Sequence, residues 1–310
     1  MQKTKKTETV VIKIGTDALK AADGMPDANL LRDLVAEMAG LIHAGHRVIL
    51  VTSGAVGTGR AISKEFHLDL SDLTETQEKQ IAASIGQPDL MAIYKALFKE
   101  HGIVAAQVLT EKNHFITNSN GSNGIAATFK RVMRRVFQRR APNPDIVNYF
   151  EGALKLRNFI PIVNENDTAA IRELMFTDND ELTGYIAKLA NADRVIFLSS
   201  GNGVCVTGEE KDKDNVIPYI DFADPNGEHP KSTAGLNKGG RGGMESKYTV
   251  AEDLARLGKW IHVASSRVKG IIGKIMCGEK VGTTLVDSGI LSNRPHGPQT
   301  RTSNAPTLQS

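Results

Sequence analysis

Phe159-Ile160-Pro161-Ile162-Val163-Asn164-Glu165-Asn166-Asp167 changes character halfway along. An apolar run with the pattern of a buried strand ends in a cluster of amides and carboxylates. Ten residues further on, Asp178-Asn179-Asp180 opens a segment whose apolar residues Leu182, Tyr185, Ile186 and Leu189 fall at helical spacing. Asp178 or Asn179 can cap that helix, because the first-turn N–H groups need acceptors. Polar groups are thereby gathered at the C-terminal end of a strand and the N-terminal end of a helix. In open α/β sheets that is where ligands bind.

The same rhythm extends in both directions. Thr9 to Ile14 reads as a central strand ending at Gly15, followed by a helix from Asp27 to Ala44 with a wide apolar stripe. Arg47 to Thr52 reads as a strand running into Ser53-Gly54-Ala55-Val56-Gly57-Thr58-Gly59. A helix is expected over Asp89 to Glu100, and strands over Ile103 to Leu109, Phe159 to Val163, Arg194 to Leu198 and Trp260 to Ala264, with a helix from Ser246 to Leu257. Strands that alternate with helices and end in Gly, Ser or Asn imply an α/β fold, a mostly parallel central sheet covered on both faces.

Composition narrows the class. With 310 residues, 40% hydrophobic and 24% charged, the chain has the make-up of a globular domain. Its formal charge of +3 is too small to argue for nucleic acid as a partner. Cys205 and Cys277 are too few and too far apart in sequence for a disulfide framework, and a cytoplasmic location is expected. No apolar run reaches the roughly 18 residues of a membrane span, and Met1 to Thr9 lacks the apolar core of a secretory signal.

Residues 1–8 read as a basic, flexible N-terminus and 9–286 as the folded domain. Residues 287–310, rich in Ser, Pro, Thr and Asn, read as a disordered polar tail. Within the domain, 118–144 reads as a basic insertion. Phe129, Val132, Met133, Val136 and Phe137 recur there at helical spacing opposite Arg131, Arg134 and Arg135. Such a face packs on protein, either its own subunit or a neighbour, more often than on a membrane.

Glycine occurs at three points where backbone could approach phosphate: at Gly15, at Gly54, Gly57 and Gly59, and in Gly239-Gly240-Arg241-Gly242-Gly243-Met244-Glu245-Ser246-Lys247. The last opens a helix, whose N–H groups and dipole favour a polyphosphate, and Lys247 adds a point charge. None has Walker A spacing. Lys13 is the sharper signal, since a lysine in a strand as apolar as Val10 to Ile14 needs a partner or a ligand.

Taken together, Val11 to Thr16, Val51 to Val56, Gly86-Gln87-Pro88, Asn164 to Asp167, Asp178 to Asp180 and Gly242 to Lys247 resemble, in order, the motifs of the glutamate 5-kinases, a branch of the amino acid kinase family. The resemblance covers roughly Val10 to Leu285. It implies a three-layer αβα sandwich of the acetylglutamate-kinase type and ATP-dependent phosphorylation of the L-glutamate side-chain carboxylate, the first step toward proline. It implies catalytic roles for Lys13, Asp180 and Lys247, with Asp180 holding the two lysines, and glutamate binding by Ser53, Asp167 and Asn179. On the nucleotide side it implies Lys13, Ser199, Ser200, Arg241, Gly242, Gly243, Met244, Glu245, Ser246 and Lys247. It further implies ATP with Mg2+ held mainly by the ATP phosphates, a homo-oligomer, and a downstream glutamyl phosphate reductase as a partner. A carboxylate acceptor is already ionised at neutral pH, so no general base is needed, and catalysis is positioning and charge neutralisation.

Departures from the family pattern fall mostly on the nucleotide side. Ser199-Ser200 stands where a Thr-Asp pair is usual, Gly203 to Glu209 departs from Gly-Leu-Tyr-x-x-Asp-Pro, and Arg241 replaces a threonine. The RNA-binding-like C-terminal domain of many bacterial members has no counterpart after Leu285, so no RNA partner is implied. Other readings are a family member acting on acetylglutamate, aspartate, carbamate or uridylate, or a glutamate- or proline-sensing relative without phosphoryl transfer. Asp167 with Asn179 favours a free amino acid, and the presence of Lys13, Asp180 and Lys247 favours catalysis.

Overall fold

The computed structural model describes residues 7–115, 142–169, 176, 178–206, 215–230 and 243–292. Its strands are β1 (Thr9–Ile14), β2 (Arg47–Thr52), β3 (Val104–Thr110), β4 (Phe159–Glu165), β5 (Arg194–Ser199), β6 (Tyr219–Asp221), β7 (Trp260–Ser265) and β8 (Thr283–Val286). Its helices are α1 (Thr16–Leu19), α2 (Ala28–His43), α3 (Ala55–Glu65), α4 (Glu75–Glu100), α5 (Pro144–Ala153), α6 (Asn179–Leu189), α7 (Met244–Ala255), α8 (Ile271–Met276) and α9 (Ser288–Leu291). The strands form an 8-stranded sheet in the order β3-β4-β2-β1-β5-β7-β8-β6. Every pairing is parallel except β7 with β8.

The β-branched runs of β1 and β5 suit strands buried on both faces. Alternation along β1 sends Val10, Ile12 and Ile14 into a core shared with α2, α4 and α8. Val11 faces the opposite core, made with α6 and α7. Two apolar layers, one on each side of the sheet, give the three-layer αβα sandwich. Each fully buried Leu, Ile or Val contributes about 1.5–3 kcal/mol. Lys13, on the α6 and α7 side, is the charged exception within β1.

Three sequence expectations need correction. Residues 55–59 are not an open glycine loop: Gly54 makes the turn at φ 106°, and α3 begins at Ala55. Gly57 and Gly59 lie inside that helix, and at Gly59 the small size serves packing against α4. The helix expected from Asp89 begins at Glu75 and runs through Pro88, started by a capping box between Thr74 and Gln77. Proline marks a helix boundary in sequence, and here close packing of α4 on α3 overrides it.

The third correction concerns the assigned edges of the domain and the insertion. Asp287 is buried and caps α9, accepting from Ile290 N, so ordered structure continues past residue 286. Likewise Asn143 caps α5 and Pro144 is its first residue, so these two belong to a domain helix rather than to the insertion. The helix expected within 128–137 lies outside the described residues.

Candidate active site

β1 lies between β2 and β5, and the chain moves outward from it in both directions. The carboxyl ends of these strands therefore meet at a topological switch point. Lys13, next to last in β1, pairs in register with Val51 on one side and Phe197 on the other. Its Nζ stands 2.7 Å from Asp180 Oδ1. Lys247 Nζ stands 3.0 Å from Asp180 Oδ2. Asp180 is in the first turn of α6 and has no solvent exposure, and Lys247 is in the first turn of α7. One strand and two helices thus deliver a buried Lys–Asp–Lys cluster. Burial lowers the pKa of Lys13, with Lys247 adding to the shift and Asp180 opposing it.

A cleft of about 850 Å3 opens beside this cluster, with Ser53, Gly54, Asn164, Asp167, Asp178 and Asn179 on its wall. The polar residues form one network. Asn179 Nδ2 is within reach of Thr52 O at 2.9 Å, Ser53 Oγ at 2.7 Å and Asn164 Oδ1 at 3.0 Å. Asn164 also accepts from the backbone N–H of Glu165 at 2.9 Å, and its own Nδ2 donates to Gln87 Oε1 at 2.9 Å. Glu165 accepts from Phe176 N at 2.8 Å, and Lys112 pairs with Glu181 at 2.6 Å, tying the neighbouring turns to α6.

The structure places every residue expected from sequence except Arg241 and Gly242. Lys13, Asp180 and Lys247 are in contact. Ser53, Asp167 and Asn179 line the cleft. Ser199 ends β5 on the far side of β1 from the cleft-lining Ser53, its Oγ donating to Gly201 O at 3.1 Å, and exposed Ser200 follows. Gly243 is the N-cap of α7 without a side-chain cap, and Met244, Glu245 and Ser246 form its first turn. Arg241 and Gly242 lie outside the described residues.

Two residues were underread. Asp178 lines the cleft and accepts from the N–H groups of Asp180 at 2.7 Å and Glu181 at 2.9 Å through Oδ1, while its buried Oδ2 has no hydrogen-bond partner among the described residues. Capping accounts for only half of that carboxylate. Gln87 lies within α4, where a buried glutamine has no periodicity signal of its own.

A doubly covered parallel sheet with a lysine–aspartate–lysine cluster at its switch point has the form of a phosphotransferase site. Residues 8–265 match the model of the amino acid kinase family. In sequence the chain is 37% identical to the glutamate 5-kinase of Chlorobaculum tepidum over 89% of its own length and 68% of the relative's. It is 32% identical to that of Bacteroides thetaiotaomicron over 85% of its own length and 65% of the relative's. The chain belongs to the amino acid kinase family and, within it, to the glutamate 5-kinases.

It spans about two thirds of the length of these relatives. The fold is shared with an isopentenyl phosphate kinase product complex from T. acidophilum, with TM-score 0.54 and 14% identity over 89% of this chain and 99% of that one. It is shared equally with a UMP kinase from Bacillus anthracis, with TM-score 0.54 and 15% identity over 91% and 97%. No helix among the described residues is long and apolar enough to cross a membrane.

Proposed function

We propose that the chain transfers the γ-phosphoryl group of ATP to the side-chain carboxylate of L-glutamate, forming L-glutamyl 5-phosphate, the first step toward proline. A carboxylate oxygen attacks Pγ, the bond from Pγ to the ADP oxygen breaks, and no proton needs to move. The observation that carries this reading is the contact of Lys13 and Lys247 with the two oxygens of one buried carboxylate, Asp180, beside the cleft.

Two anions must meet for this chemistry, so fixed positive charge is what the protein has to supply. Lys13 and Lys247 neutralise the transferring group, and Asp180 holds both ammonium groups in position. Asp167 faces the substrate ammonium, with the Asp178 carboxylate as a second negative charge on the same wall. Ser53 and Asn179 contribute hydrogen bonds to glutamate.

The uncapped N-terminus of α7 at Gly243 to Ser246 suits a polyphosphate, together with Arg241 and Gly242. Ser199 and Ser200 flank the nucleotide side. Mg2+ enters with ATP and is held mainly by its phosphates, since it keeps several waters and rarely uses a full protein cage. We further infer a cytoplasmic homo-oligomer whose reactive acyl phosphate passes to a glutamyl phosphate reductase, with no nucleic-acid or membrane partner.

The test is ATP turnover by the purified protein with glutamate, N-acetylglutamate, aspartate, carbamate and UMP, trapping acyl phosphate with hydroxylamine. Hydroxamate formed with glutamate alone supports the reading. Turnover with another acceptor in preference to glutamate overturns it.

A further inference from the structure

Gln87 is buried and its Nε2 has no hydrogen-bond partner among the described residues, although its Oε1 accepts from Asn164. A buried amide with an orphaned donor is a cost that stability does not explain. Its orientation is nonetheless forced. The Glu165 N–H requires Asn164 to present Oδ1 on that side, which turns Asn164 Nδ2 toward Gln87. The Thr52 carbonyl requires Asn179 to present Nδ2, which then also meets Asn164 Oδ1 and Ser53 Oγ. Two backbone groups therefore fix the direction of a three-amide relay. Both hydrogens of the Asn179 amide are spent on protein acceptors, and Oδ1 is the atom it has left to offer a ligand.

We propose that Gln87 is a positioning residue which, through Asn164, holds the Asn179 amide with its oxygen toward the substrate's ammonium group. This rests on the glutamate kinase reading. Gln87 sits on α4 where Gly86 meets the backbone of α3, and Gln80 of the same helix donates to Thr168 O at 3.3 Å. The helix thus grips the segment around β4 at two points, Asn164 and Thr168. With the acceptor at Gln87 removed, Asn164 Nδ2 is stranded in the interior, and any shift of that amide in search of a new acceptor loosens its Oδ1 contact with Asn179, leaving only Thr52 O and Ser53 Oγ to hold the Asn179 amide.

Gln87→Met keeps shape and removes the acceptor, whereas Gln87→Glu keeps an acceptor oxygen. In steady-state assays Gln87→Met is expected to raise the glutamate KM roughly tenfold, the effect of one hydrogen bond lost with its partner stranded. The ATP KM should stay within about twofold, and Gln87→Glu should recover most of the loss. Glutarate, which lacks the amino group, should bind wild type and Gln87→Met equally as a competitive inhibitor.

Equal rises in both Michaelis constants, a Gln87→Glu variant no better than Gln87→Met, or a matching loss of glutarate binding would each overturn the inference. Should Gln87→Met fail to fold by thermal denaturation, Gln87→Glu decides alone: a near-normal glutamate KM supports the inference and a tenfold rise overturns it. Wild-type protein that makes no acyl phosphate from glutamate overturns the functional reading, and this one with it.

Discussion

Gly59 of α3 and Gly86 of α4 are in backbone contact: a Cβ placed on Gly86 would stand 3.0 Å from Gly59 Cα and overlap the Ala55 carbonyl oxygen. A Cβ on Gly59 would overlap the carbonyl oxygen of Ala82. Both helices border the cleft, since α3 starts at the Ser53-Gly54 turn and α4 carries Gln87 one residue beyond the contact.

Gly59→Ala and Gly86→Ala are therefore expected to destabilise by at least the 1–3 kcal/mol typical of overpacking, because the obstructing atoms are backbone and cannot swing away. Gly40→Ala is the control. Gly40 is an exposed residue inside α2 with nothing near the added methyl, and the substitution should stabilise by about 0.5–1 kcal/mol. Urea denaturation of the three variants measures all of this, and equal stabilities would contradict the packing argument.

Lys13→Met and Lys247→Met should each lower kcat by roughly 100-fold or more, the usual scale for losing a preorganised charge contact. Neither should unfold the protein, because each leaves Asp180 with one lysine. Kinetics and circular dichroism on the same preparations separate catalysis from folding. Near-normal kcat in both would remove these lysines from the reaction.

Asp167→Ala should raise the glutamate KM far more than the ATP KM. Breaking a buried ion pair from one side costs about 3–5 kcal/mol, part of it belonging to the stranded partner. A rise confined to ATP would place Asp167 on the nucleotide instead.

His262 supplies a pH prediction remote from the cleft. It is buried within β7, away from the cleft-lining residues, with Nε2 2.7 Å from Arg194 Nη1 and Nδ1 3.2 Å from Thr284 Oγ1, while Glu8 pairs with Arg194. Burial first, and the Arg194 charge second, push its pKa well below 6.5. The unfolded chain binds that proton more readily, so the neutral ring's contribution is complete above about pH 6.5 and is lost as pH falls toward the folded-state pKa. Urea midpoints between pH 7.5 and 4.5 should fall, and His262→Gln should flatten the slope. An unchanged slope in the variant would assign the acid sensitivity to other groups.

The sequence reading reached furthest where chemistry and periodicity agreed. Lys13 stood out because a charge inside β1 violates the strand's own pattern, and Asp178 to Asp180 because acidic residues mark a helix start. Strand β1 came out residue for residue, since both of its faces are apolar. Around residues 55–88 the signals misled. Glycine suggests a loop and proline a boundary, yet Gly59 and Gly86 are helical contact points and Pro88 lies in mid-helix. Only tertiary packing decides between those meanings. Strands β6 and β8 were missed because three or four residues are too few for alternation to register. The amide relay was invisible for a different reason: Gln87 and Asn164 are 77 positions apart, and nothing local marks either as the other's partner.

The lowered pKa of Lys13 carries a consequence for the lifetime of the protein as well as for its chemistry. Its charged form is disfavoured by folding, so the lysine suited to greet a phosphate subtracts from the stability of the empty enzyme. A bound polyphosphate opposes that penalty by favouring the charged lysine, and adds a ligand's stabilisation, about 2.7 kcal/mol at a hundredfold excess over Kd. Nucleotide supply thereby becomes a determinant of how long the folded chain persists. Molecules starved of ATP would be the first to unfold and be cleared, which couples the amount of enzyme to the energy available for the reaction.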